Sequence, residues 1–168
     1  FLTDVSNRDI LLVGGTLDDA NTMELYDMAQ GISHLGAKSL SIVIPYFGYS
    51  TMERAVLSGE IVKAKNRALM FSSIPMCADS NKIYLMDLHS EGIPYYFDRD
   101  IRCNHIYCKQ LIMEAANSLA GNDFVLAATD AGRAKWVESL ANELHVKSAF
   151  IYKHRISGSE IQITGVNA

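Results

Sequence analysis

Five residues with side chains suited to phosphate-bearing ligands stand where apolar runs give out. Asp87 and His89 follow residues 83–86, Asp130 follows residues 124–128, and Lys153 and Arg155 follow residues 149–152. A carboxylate and an imidazole two residues apart, where a chain leaves a sheet, can reach one divalent ion. A Mg²⁺ held by few protein groups normally holds phosphate oxygens as well. Lysine and arginine then meet the remaining phosphate charge. Each residue taken singly has a plainer role: an aspartate after a strand often closes a turn, and a lone histidine is equally ambiguous. The accumulation of such residues on successive segment ends is what points to a site.

What must position them is a set of strands. Residues 10–13 form a short apolar run closed by Gly14-Gly15-Thr16, which reads as a strand entering a turn. Met23, Tyr26, Ile32 and Leu35 then recur at helical spacing, with Asp18 and Asp19 at the amino end and Gly36 as the stop. The alternation continues with strands over 40–44, 83–86, 124–128 and 149–152, helices over 61–74, 106–119 and 133–144, a loop over 87–102, and an extra or edge strand over 160–164. Strands separated by single helices imply right-handed crossovers and a parallel sheet covered on both faces, a doubly wound α/β fold. In such sheets ligands gather beyond the carboxyl ends of the strands.

Other candidates are weaker. Gly14-Gly15-Thr16 lacks the third glycine of a dinucleotide fingerprint and reads as a tight turn. His34, His105 and His145 lie in or at the ends of predicted helices and read as structural. The rings within residues 46–49 and 95–97 can stack on a purine or ribose, or pack the loops.

Composition narrows the class. The chain has 168 residues, 49% apolar and 20% charged, which fits one domain or a domain plus part of another and excludes collagen, coiled coil and disorder. A formal charge of −4 argues against coating nucleic acid. No apolar stretch approaches the ~20 residues of a membrane helix, and no signal peptide is legible. Cys77, Cys103 and Cys108 are an odd number without a CxxC pair, which suggests neither a disulfide framework nor a zinc knuckle and fits a cytoplasmic setting. Beginning at Phe1 and ending at Ala168, the sequence reads as a piece of a longer protein.

The motifs now collected resemble one family, the ribose-phosphate diphosphokinases. Val43-Ile44-Pro45-Tyr46-Phe47-Gly48-Tyr49 resembles the family's strand-loop segment. Asp87-Leu88-His89-Ser90, followed by Ile93, Tyr96, Phe97 and Asp98, resembles its acid-Leu-His signature. Thr129-Asp130-Ala131-Gly132 is similar to its sugar-site turn, and Lys153-His154-Arg155 to its catalytic arm. The resemblance implies a Rossmann-like, phosphoribosyltransferase-type fold in two domains, with residues 1–120 the remainder of the first and 121–168 the start of the second. It implies transfer of the diphosphoryl group of MgATP to ribose 5-phosphate, releasing AMP, in a homo-oligomer. It also implies Mg²⁺ at Asp87, His89 and Asp98, with Asp130 at the sugar hydroxyls, Arg54 at the nucleotide, and Lys153 with Arg155 over the transferring group; His89, Lys153 and Arg155 are then the catalytic set.

The pattern also departs from the family's. Where members commonly carry Arg-Gln-Asp-Arg, this chain has Thr51-Met52-Glu53-Arg54, closer to the divergent class found in plants. Arg102 and Gly92 replace a further acid and a glutamine. The acidic Thr-Gly-Gly-Thr-like loop for the 5-phosphate is expected beyond Ala168, so the piece alone is expected to be inactive. Two rival readings stand: a catalytically silent member that regulates an active partner, and a phospho-receiver built on Asp87, Thr129 and Lys153. Gly14-Gly15 opposes the second, because an acidic pair belongs at that place.

Overall fold

The computed structural model describes residues 2–98, 100–121, 123–129, 131–155 and 161–167. The chain forms two compact units, Phe1–Tyr107 and Cys108–Ala168. In the first, β1 (Asp9–Val13), β2 (Ser39–Ile44), β3 (Ser80–Met86) and β4 (Arg102–Ile106) make one all-parallel sheet in the order β1-β2-β3-β4. The register pairs Asp9 with Ser39, Ser39 with Ser80 and Lys82 with Arg102. Helix α1 (Asp19–His34) connects β1 to β2, and α2 (Lys63–Ser72) connects β2 to β3.

The central strands alternate. Leu40, Ile42 and Ile44 of β2 and Ile83 and Leu85 of β3 are almost fully buried, whereas Ser41, Val43, Lys82 and Tyr84 are half-buried. The buried face joins one cluster with Leu25, Ala29 and Ile32 of α1 and Ala64 and Phe71 of α2. Alanines at 29, 64 and 68 let both helices approach closely, and Phe71, fully buried, meets the Tyr26 ring edge-on at 6.1 Å. The parallel α/β class expected from the sequence is therefore present, with its two faces unequally covered.

Helix ends follow local chemistry. The Asp18 carboxylate accepts from the Asn21 N–H at 2.8 Å, and Gly36, at φ +78°, follows the last turn of α1. Ser72 and Ser73 donate to the carbonyls of Ala68 and Met70 at the end of α2, two residues before Pro75.

The second unit holds α3 (Lys109–Ala120), β5 (Val125–Ala128), α4 (Ala134–Leu144), β6 (Lys147–Arg155) and β7 (Ile161–Asn167). Strand β6 runs parallel to β5 and antiparallel to β7. Helix α4 buries Val137, Leu140 and Ala141, whereas α3 buries no residue and is tied to α4 by Lys109, which bonds Ser139 at 2.9 Å and pairs with Glu143. Among the described residues no helix is long and apolar enough to cross a membrane.

Two expectations about elements need correction. Residues 102–106 form a strand, not the end of a loop and the start of a helix; β4 is an edge strand whose alternation Arg-Cys-Asn-His-Ile carries little apolar signal until it pairs with β3. Strand β6 does not stop at 152 but continues through Lys153 to Arg155, because β7 prolongs the ladder. Helix α3 lies in the unit Cys108–Ala168, where Lys109 joins it to α4.

Candidate functional site

Within the first unit, three loops and one strand terminus share the carboxyl end of the sheet. The turn after β1 and the loop after β2 are joined by Thr16, which is 2% exposed. Its N–H donates to the Tyr46 carbonyl at 2.9 Å, and its hydroxyl donates to that same oxygen at 3.2 Å while accepting the Gly48 N–H at 2.7 Å. The loops approach so closely that a Cβ at Gly48 would fall 1.9 Å from the Thr16 carbonyl oxygen. The tight turn expected at Gly14-Gly15-Thr16 is not formed there: the Gly14 N–H donates to the Val43 carbonyl at 3.1 Å and Thr16 to that of Tyr46, so the segment runs on beside β2 and its loop, and the chain bends at Leu17-Asp18.

The aromatic residues of the second loop divide. Phe47 is buried and packs on Phe97 at 6.1 Å. Tyr46 is exposed. Tyr49, at φ +60°, has its ring beneath Lys63 Nζ at 4.2 Å and Arg67 Cζ at 5.4 Å, and its hydroxyl donates to Asp19 Oδ1 at 3.1 Å. Arg67 also forms an ion pair with Asp19. The sequence reading missed this cationic group; the available signal was two basic residues at helical i, i+4 spacing opening α2.

The third loop leaves β3 at Asp87. Its φ of +41° turns the chain out of the ladder, although its N–H still donates to the Ile106 carbonyl at 3.0 Å. Leu88 is buried, between half-buried Asp87 and exposed His89. The Leu88 N–H donates to Nε2 of His105 at 2.9 Å, which brings a residue expected to be a helical spectator to the base of this turn. The missed signal was the period-2 recurrence of Cys103, His105 and Tyr107. The Tyr107 hydroxyl donates to Glu91, and that bond, more than burial, raises its pKa above the ordinary phenol value. Burial pushes the nearby Cys103 thiol up to about 12, so it stays protonated and inert.

Arg54 is largely exposed and lies 3.6 Å from Glu53, in a loop fastened to the 3₁₀ helix Ile93–Tyr96 by the Tyr96 hydroxyl, which donates to the Glu53 carbonyl. Asp98 follows that helix, is exposed, and donates its N–H to Ser72 Oγ at 2.9 Å. Asp87, His89, Asp98 and Arg54 therefore all belong to the first unit. Among the described residues no three His, Cys, Asp or Glu side chains gather into a metal-holding group. A cleft of about 300 Å³ lies beside Gly14 and Gly15, lined by Leu17, Leu25 and Met28, and another of about 600 Å³ lies at the opposite, amino end of β3 and β4.

Lys153 belongs to the second unit, exposed on β6 at a bulge opposite β7. Pairing to β5 ends at Phe150, so from Ile151 onward the strand paired with β6 among the described residues is β7, in an antiparallel arm. Asp130 and the side chain of Arg155 lie outside the described residues.

Residues 1–74 match the model of the N-terminal domain of ribose phosphate pyrophosphokinase, pyrophosphate being another word for diphosphate. The chain is 31% identical over 144 residues to ribose-phosphate pyrophosphokinase 2, chloroplastic, of Spinacia oleracea, covering 83% of this chain and 35% of that protein. It is 30% identical over 149 residues to the ribose-phosphate pyrophosphokinase of Bacillus subtilis, covering 88% of this chain and 45% of that one. The fold matches phosphoribosylpyrophosphate synthetase from Mycobacterium smegmatis with a TM-score of 0.74 at 22% identity, over 98% of this chain and 53% of that one. The chain spans about half or less of the length of these relatives. With its parallel α/β sheet and the Asp87-Leu88-His89 exit from β3, it belongs to the ribose-phosphate pyrophosphokinase family, an enzyme family.

Proposed function

We propose that this chain is part of an enzyme that moves the terminal diphosphoryl group of ATP to the anomeric hydroxyl of ribose 5-phosphate, giving 5-phosphoribosyl 1-diphosphate and AMP. The observation that carries the reading is the turn at the end of β3, where a left-handed Asp87 and a buried Leu88 leave His89 exposed on the carboxyl rim of a parallel sheet. Transfer of this type depends on positioning and on neutralising charge spread over oxygens, which a few placed acids and cations accomplish.

Asp87 and Asp98 suit Mg²⁺ by donor type, since this hard cation takes carboxylate oxygens and is bound through one or two of them plus substrate phosphates. His89, an imidazole, is the less usual Mg²⁺ donor and also suits donation to a phosphate oxygen. When bound, the ion would neutralise phosphate charge. Arg54, exposed beside Glu53, is available to the nucleotide. Lys153 and Arg155 on the β6–β7 arm supply cations for the transferring group, and Asp130 takes the sugar hydroxyls.

Incubating the full-length protein with ATP, Mg²⁺ and ribose 5-phosphate should release AMP only when all three are present. His89→Ala should lower turnover at least about tenfold, or about 1.4 kcal/mol of transition-state stabilisation. Unchanged turnover removes His89 from the site, and no AMP release by the wild type favours a silent, regulatory member instead.

A further inference from the structure

Beyond Asp87 the backbone leaves the β3–β4 ladder, and the Leu88 N–H has no neighbouring strand to bond. Its side chain is buried, so an unpaired amide here would be costly. The acceptor that meets it belongs to a side chain: His105 Nε2, at 2.9 Å, from the end of β4. An accepting ring nitrogen carries no hydrogen, so the imidazole's hydrogen is on Nδ1. The ring is itself held by Tyr107, with centroids 4.2 Å apart, and the Tyr107 hydroxyl reaches Glu91 at 2.6 Å. Three consecutive β4-end residues thus grip the loop: Ile106 through the Asp87 amide, His105 through the Leu88 amide, and Tyr107 through Glu91.

We propose that His105 is a positioning residue for the Asp87-Leu88-His89 turn, fixing the Asp87–Leu88 peptide, one of the two between these side chains, so that both are presented from a rigid backbone. This rests on the reading of that turn as the phosphate-handling site. The imidazole acts through hydrogen-bond acceptance; its ring packing alone would not serve, because the backbone amide it satisfies is what sets the turn.

The test compares two variants of the full-length protein. His105→Phe keeps a ring against Tyr107 and removes the acceptor, whereas His105→Gln offers an amide oxygen at similar reach. Hydrogen exchange at the Leu88 amide and the kcat and KM of diphosphoryl transfer are measured on each. The phenylalanine variant should exchange about tenfold faster and lose about tenfold in kcat, with KM for ribose 5-phosphate within about twofold of wild type. The glutamine variant should recover most of both. If the phenylalanine variant does not fold, His105→Asn, whose shorter amide stops short of Leu88, takes its place with the same expected results. Unchanged Leu88 exchange, faster exchange with unchanged kcat, or a glutamine variant no closer to wild type than phenylalanine each overturns the proposal. A wild-type protein without transfer activity removes the functional reading, and the exchange comparison then decides the positioning role by itself.

Discussion

At the scale of single residues, the rim is organised by contacts that tolerate no added atoms. Gly48 lies where any Cβ would meet the Thr16 carbonyl oxygen at 1.9 Å, and backbone, unlike a flexible side-chain end, cannot swing aside. Gly48→Ala should therefore push the turn after β1 away from the loop after β2 and break the Gly48 N–H bond to Thr16. An overpacking cost of about 1–3 kcal/mol is expected, seen as a lower urea midpoint at unchanged slope. Thr16 shows the complementary economy: buried, it uses its amide and hydroxyl on the partner loop, so neither is desolvated for nothing. That a strand ends beside it was legible from the two glycines. Its partner thirty residues away was not, because nothing local specifies which loop a buried hydroxyl will meet.

Among the elements, the long connection from β2 to α2 depends on its own fastenings more than on a regular ladder. Glu60 accepts the N–H groups of Val56 at 2.6 Å and Leu57 at 2.9 Å, and these bonds to its charged form hold its carboxyl below the usual carboxylate range. A carboxyl depressed in the folded state contributes stability above its unfolded value and loses it as the pH falls through the folded one. Glu60→Ala should speed hydrogen exchange at Val56 and Leu57 severalfold at neutral pH, and the difference from wild type should shrink as the solution is made acidic. A gap that does not depend on pH would mean the carboxylate is not the fastening. The loop carries Arg54, so its order bears directly on where that guanidinium stands.

For the molecule as a whole, burial is concentrated in the first unit. Leu40, Ile42, Ile44, Ile83 and Leu85 form its centre with Phe71, whereas α3 of the second unit buries none of its residues. Local opening free energy follows buried apolar contact. Amides of β2 and β3 should therefore exchange most slowly in the protein and those of α3 among the fastest, a ranking that exchange mass spectrometry reads directly. Equal protection of α3 and β3 would show that α3 is held by something other than the Lys109 contacts with α4.

By itself the amino-acid order determined the parallel α/β class, the end of β1 at Gly14, the helix stops at Gly36 and Pro75, and the residues that end β3. All of these are written in short runs of apolar residues and in the dihedral preferences of their punctuation. Tertiary structure decided that residues 102–106 form a strand, since a segment whose apolar members are Cys103 and Ile106 carries a weak pattern and becomes a strand when β3 offers a ladder. It likewise decided that His105 meets Leu88, and that Arg67, paired with Asp19, lies over the Tyr49 ring. Those groups are separated along the chain by more than any local preference spans, and they meet because the buried faces of the strands and helices leave no other packing.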